Sequence, residues 1–215
     1  MALPAQDLRS NLGTWAVTSG LLPAVAHQMT RALPTESFDP DFRGQDLETT
    51  YFDTRGFTLR RARRDGGKYL TLRVRCYRSS EGRRAGGAYA LSAKTEHEKF
   101  RQVIAADLAE GLLQSGIAPA VWSSLLPAHL VARLLDLAGQ MPLLPVVTLG
   151  FRRYAVEDRI HRLTLDLDVR TNTGKRMPCH VLEYKSTRTE ADFPLDVSLP
   201  PIKLSKFLWA TAVAP

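Results

Sequence analysis

At 215 residues the chain is long enough to bury a sizeable core without disulfide or metal staples, and one α+β domain over 1–215 is the expected organisation. A formal net charge of +7 favours an anionic partner, while two lone cysteines, Cys76 and Cys179, exclude a disulfide framework and a Cys/His zinc site and suit the cytoplasm. An acid and an arginine interrupt the first ten residues, and no apolar run approaches the ~18 residues of a membrane span, so neither a signal peptide nor a transmembrane segment is expected.

Residues 21–33 carry apolar side chains at helical spacing, with Pro23 in the first turn and Pro34 ending it. A loop containing Pro, Asp and Gly runs to Gly44. Residues 47–54 then read as a strand and 57–63 as a second, less regular one. Asp65, Gly66 and Gly67 turn the chain into the next. From Tyr69 to Tyr77 strict alternation sends Thr71, Arg73 and Arg75 to one side and Leu70, Leu72, Val74 and Cys76 to the other. A Gly- and Ser-containing stretch, 79–87, reads as a connector. Residues 89–96 alternate again, Ser92, Lys94 and Glu96 opposing Leu91 and Ala93.

Over about 96–142 the period changes from two to 3.6, predicting a helical insertion with Phe100, Val103, Ile104, Leu108 and Leu112 in one helix and 125–137 in another. Strands resume at Val146. Arg162, Thr164, Asp166 and Asp168 oppose Leu163, Leu165, Leu167 and Val169; Asn172, Thr173 and Gly174 turn the chain; Glu183 and Lys185 then oppose Leu182 and Tyr184. Pro200 and Pro201 precede a short final helix over 203–212, on which Lys203 and Lys206 project together.

Arg, Lys and acid thus recur at strand centres, where a solvated face carries scattered charge and neutral polar residues. The pattern points to a polar interior that holds an anion. Arg73 and Arg75, two apart on a strand, offer two forks that match phosphate oxygens, against the alternative of an exposed strand face. Lys94 gains meaning from their company. A mid-strand carboxylate among apolar neighbours is costly unless compensated, so Glu183 either pairs with Lys185 or an arginine or holds Mg²⁺ or Mn²⁺. Asp166 and Asp168 either supplement it or pair with Arg162 and Arg170. The glycine pairs read as turns and the five histidines lie apart. Nucleic-acid binding rests on net charge alone and is the least favoured reading, since the tryptophans are not interleaved with basic residues.

In order, YFDT at 51–54, LRVRCY at 72–77, LSAKTE at 91–96, FRRYAV at 151–156, RLTLDLD at 162–168, VLEYKS at 181–186 and PIKLSKF at 201–207 resemble the VTC domain of polyphosphate polymerases, within the CYTH-like triphosphate tunnel superfamily. The resemblance implies an antiparallel tunnel barrel with Arg63, Arg73, Arg75, Lys94, Arg153 and Arg162 lining the phosphate path, Glu183 holding a divalent metal (Mn or Mg), and Lys203 and Lys206 at one mouth. Arg73, Arg75, Lys94 and Glu183 would serve phosphoryl transfer from ATP to inorganic polyphosphate. Hydrolysis of triphosphates and a non-catalytic polyphosphate-binding or sensor module are the alternatives. The chain departs from the family at its first strand, where residues 9–14, Arg-Ser-Asn-Leu-Gly-Thr, carry neither the acids nor the lysine of a Glu-x-Lys pattern. A membrane-associated partner subunit completing that strand is a further expectation.

Overall fold

The computed structural model describes residues 10–36, 39–78, 88–189 and 192–213; the expected connector 79–87 and the first nine residues lie outside them. Eight strands form one antiparallel sheet: β1 (Ser10–Val17), β2 (Gln45–Asp53), β3 (Thr71–Arg78), β4 (Ala88–Lys94), β5 (Lys99–Ile104), β6 (Leu144–Glu157), β7 (His161–Thr171) and β8 (His180–Ser186). Their order is β1-β8-β7-β6-β2-β3-β4-β5. With α1 (Leu22–Ala32), α2 (Thr58–Arg64), α3 (Ala106–Ser115), α4 (Trp122–Leu125), α5 (Ala128–Ala138) and α6 (Lys206–Val213), the fold is α+β. The expected closed barrel is instead a curled open sheet, because β1 and β5 are its two edges and do not pair with each other.

The apolar face of the alternation points outward, under helices. Leu72, Val74, Leu91 and Ala93 pack with Leu59 of α2, Leu112 of α3 and Leu130 and Leu134 of α5 in one buried cluster. Leu163, Leu165, Leu182 and Tyr184 pack with Val25 and Met29 of α1 in a second. The remaining cluster lies on the inner face: Leu47, Tyr51, Leu149, Phe151 and Val181 close against Phe207 and Ala210 of α6. A sheet apolar outside and charged inside needs both kinds of cover, helices for the first and a polar or ionic filling for the second.

Several expectations give way to tertiary context. Residues 57–63, read as a strand, form α2. Its start is fixed by Asp53, fully buried, whose carboxylate accepts the N–H groups of Thr54 (2.7 Å), Leu59 (2.9 Å) and Arg60 (2.9 Å), while Thr54 Oγ1 accepts that of Thr58. The predicted helix through Phe100, Val103 and Ile104 is split. Lys99–Ile104 pairs with the free edge of β4, and α3 begins only at Ala106. Pro127 likewise divides 125–137 into the end of α4 and the start of α5. The final helix starts at Lys206, so Lys203 precedes it and the two lysines do not share a helical face.

Chain ends meet at β1. It pairs with β8, and its outer edge is covered by the segment 200–202: Pro200 O accepts from Ala16 N–H (3.1 Å) and Thr14 O from Ile202 N–H (2.8 Å). The segment 200–202 thus covers the part of that edge around Thr14 to Ala16. No helix among the described residues is long and apolar enough to cross a membrane.

Removing the Asp53 carboxylate leaves three buried backbone donors without acceptors. Asp53→Ala is expected to lower stability by about 1–3 kcal/mol, read as a lower urea midpoint with an unchanged slope; a midpoint equal to the wild type's would contradict this role for the carboxylate.

Candidate anion-binding site

The inner face encloses a cavity of about 240 Å³ to which all eight strands, α2 and the start of α6 contribute lining residues. Ten Lys and Arg side chains line it, against one carboxylate, Glu183. The pleat accounts for this, since cross-strand partners share a face. Arg73 stands between Tyr51 on β2 and Ser92 on β4, and Arg75 between Thr49 and Ala90. The small β4 neighbours Ser92 and Ala90 leave the guanidiniums room, and Arg75 Nε donates to Thr49 Oγ1 at 2.9 Å.

Two halves of the cavity differ in charge. On the β7–β8 side Arg153 grips Asp166 with two hydrogen bonds, Nε to Oδ1 (2.6 Å) and Nη2 to Oδ2 (2.7 Å). Lys206 Nζ lies 2.7 Å from both Asp166 Oδ2 and Glu183 Oε1, and Lys185 Nζ is 4.0 Å from Glu183 Oε2. Burial alone would raise both carboxyls. For Glu183 the charges of Lys206, Lys185 and Arg153 outweigh it and hold the group well below its usual value, and for Asp166 Arg153 and Lys206 do the same. Lys206 is shifted up because Asp166 and Glu183 overcome its burial. Arg162 also faces the cavity, but its guanidinium is engaged by buried Glu36 and by Glu157 (3.6 Å).

The β3–β4 side carries surplus positive charge. Among the described residues no carboxylate lies within ion-pair distance of Arg73, Arg75 or Lys94. Burial, then repulsion from Arg73 and Arg153, pushes Arg75 down to about 10 against the pull of Tyr77 and Tyr51. Lys94, at the rim, is lowered by burial and by Arg63 and Arg73, with only Glu183 opposing. Burial would raise the Tyr77 phenol, but Arg75 and Arg101 bring it below its usual value. Phe151 lies under three of the cations, its ring centroid 5.7 Å from Arg75, 5.4 Å from Arg153 and 5.9 Å from Lys206. An array of unpaired cations held by hydroxyls and a ring is suited to several phosphate oxygens at once.

Of the residues singled out in the sequence, Arg63, Arg73, Arg75, Lys94, Arg153, Arg162, Glu183 and Lys206 all line this cavity. Arg63 reaches it from α2, donating to Thr71 Oγ1 (2.9 Å) with its guanidinium 4.4 Å from the Tyr69 ring centroid. Lys203 does not line it. It belongs to an adjoining cavity with Tyr69 and Leu208. Asp168 leaves the face of Asp166 because a register shift on β6 opposite it accompanies a left-handed residue (φ 49°), so its exposed carboxylate pairs with Arg170 and Arg176. Glu96 lies beyond β4 and pairs with Arg133. Lys99 and Arg101, within the stretch expected to be helical, also line the cavity, and their flanking of Phe100 is a period-two signal. On β1, Asn11 and Thr14 face the cavity. Gly13 does not, and a Cβ there would stand 2.2 Å from the Trp15 ring, so a lysine has room only at Thr14.

A divalent ion is what the resemblance implies at Glu183, but the donor set does not fit a resident one. Such ions take six or more oxygens at about 2.0–2.6 Å. Here Glu183 Oε1 and both Asp166 oxygens already accept from Lys206 or Arg153, and no three acidic, His or Cys side chains converge among the described residues.

No protein-family model matches the chain, and no curated protein matches it. Several solved structures are similar in fold, two candidate cyclases among them. One is a candidate adenylate cyclase from Bacillus halodurans, with a TM-score of 0.55 and 16% identity over 81% of this chain and 79% of that one. The other is a candidate adenylyl cyclase from Hippeastrum, described as revealing a dominant triphosphatase activity, with a TM-score of 0.51 and 13% identity over 84% of this chain and 80% of that one. The likeness carries the fold alone, an α+β architecture built on one antiparallel sheet.

Because the folded-state pKa of Asp166 is depressed, its contribution to stability is complete above the ordinary value of 3.8 and is lost as pH falls through the lower folded value. Asp166→Asn, which leaves Arg153 and Lys206 with half their compensation, is expected to cost about 3–5 kcal/mol at neutral pH. That deficit should shrink below about pH 4. Urea titrations of both proteins across this range check it, and a deficit independent of pH would refute it.

Proposed function

We propose that the chain binds inorganic triphosphate, longer polyphosphate, or the triphosphate of a nucleotide such as ATP in the cavity enclosed by its sheet. The observation that carries the reading is the surplus of cations, Arg73, Arg75 and Lys94, with no carboxylate partner among the described residues, on β3 and β4 in a cavity where the only lining carboxylate among those residues is already compensated. A chain of phosphates matches this arrangement better than a single anion, since the cations extend from Arg63 and Lys94 at the rim to Arg75 beside Phe151. The polymerase resemblance supports phosphoryl transfer from ATP to polyphosphate as the reaction. Transfer of this kind asks the protein mainly for positioning and charge stabilisation, with little covalent chemistry.

Turnover is the weaker part of the arrangement. Thr14, opposite Glu183, stands where the family pattern places charged residues on the first strand, and the absence of one cationic donor costs on the order of 100-fold in rate while ground-state binding persists. Binding with slow or no turnover follows. Triphosphate hydrolysis is the second reading, favoured by the dominant triphosphatase activity described for the Hippeastrum structure.

Tripolyphosphate at about a hundred times its dissociation constant should stabilise the fold by roughly 2.7 kcal/mol. Replacing Arg73 and Arg75 together by Ala should abolish binding in calorimetry while the circular dichroism stays native, because both side chains face the cavity and the outward core is untouched. Retained affinity in this variant would sink the reading. With ATP and Mn²⁺ or Mg²⁺, separate assays of released phosphate and of chain growth are expected to show slow turnover, and Thr14→Lys to raise the rate more than the affinity. Rapid chain growth by the unaltered protein would show instead that Thr14 creates no deficit.

A further inference from the structure

Resting on the anion-binding reading, we propose that Lys206 stands in place of a divalent cation, so that the cavity takes its phosphate ligand free of metal. The Lys206 ammonium bridges Asp166 Oδ2 and Glu183 Oε1 at 2.7 Å each, the two carboxylates that a single metal ion would otherwise bridge. Arg153 binds both Asp166 oxygens and Lys185 lies 4.0 Å from Glu183, so both carboxylates are compensated by side-chain cations before any ligand arrives. A divalent ion placed there must first displace the ammonium into a cavity already carrying the unpaired Arg73, Arg75 and Lys94, where like charges repel in a partly desolvated space.

Lys206 has little freedom to yield the place. It is the first residue of α6, and the next residue, Phe207, is buried with its ring 5.2 Å from that of Tyr51. Phe151 lies beneath both Lys206 and Arg153. The phosphate counter-charge comes from fixed side chains, and a metal already bound to the ligand in solution lowers the charge on which recognition depends.

The test is calorimetric titration of tripolyphosphate in EDTA and then in excess Mg²⁺. Equal or severalfold weaker affinity in Mg²⁺ is expected. Tighter binding in Mg²⁺ overturns the proposal, whereas no binding in either buffer overturns the anion-binding reading beneath it. A second measurement needs no phosphate: Mn²⁺ alone should leave the wild-type melting temperature unchanged. In Lys206→Met, which vacates the bridge between the two carboxylates, it should raise the melting temperature by several degrees, and Lys206→Arg should behave as wild type. A wild-type rise with Mn²⁺, or a folded Lys206→Met protein indifferent to it, would overturn the assignment. If Lys206→Met does not fold, the two wild-type measurements decide.

Discussion

Glu183 at the wall of the strongly basic cavity and Asp166 buried beside it are bound by Arg153 and Lys206, and these bonds decide how eight strands can curl around so much charge. An inner face of cations alone would repel itself. One of acids and cations in equal number would be satisfied and inert. The sheet adopts an intermediate solution, in which the β7–β8 side is neutralised internally and the β3–β4 side is left cationic. The same compensation fixes α6, because Lys206 can engage both carboxylates only when Phe207 and Ala210 fill the apolar end of the concavity. Packing and electrostatics therefore act on one helix turn together, and neither alone explains why a helix with few polar contacts sits inside a polar sheet.

The parts of this arrangement legible in the sequence are those set by the pleat. Arg73 with Arg75, and Glu183 with Lys185, share a face because a strand has a period of two, and the apolar partners Leu72, Val74, Leu182 and Tyr184 go to the other side whatever the tertiary context. What escaped reading depends on partners and backbone conformations that the periodicity of a segment does not encode. Residues 99–104 satisfy a helical period but complete a strand because β4 offers a free edge. Residues 58–64 are helical because a buried carboxylate on β2 collects their first N–H groups. Asp168 obeys the alternation in sequence and breaks it in space at a single left-handed residue. The engagement of Arg162 by Glu36 crosses from β7 to the segment after α1, and neither residue has a local pattern to announce it. Glu183 illustrates the limit best: its need for a cation was legible, and the identity of that cation, Lys206, was not.

The pairing of β1 with β8 has a consequence for how the molecule is built. Ser19 and His180, 161 positions apart, meet across this junction, so β1 must wait for β8 to be made before it can pair. Meanwhile β2 to β5 can zip together as sequential neighbours. Closing a loop of that length early is entropically costly and gains little until the intervening strands are in place. During synthesis the arginines of β3 therefore stand on a half-made sheet before Asp166, Glu183 and Lys206 exist to organise the opposite wall. The cationic face of β3 is thus open to the polyanions around the nascent chain until β6 to β8 and α6 complete the cavity wall.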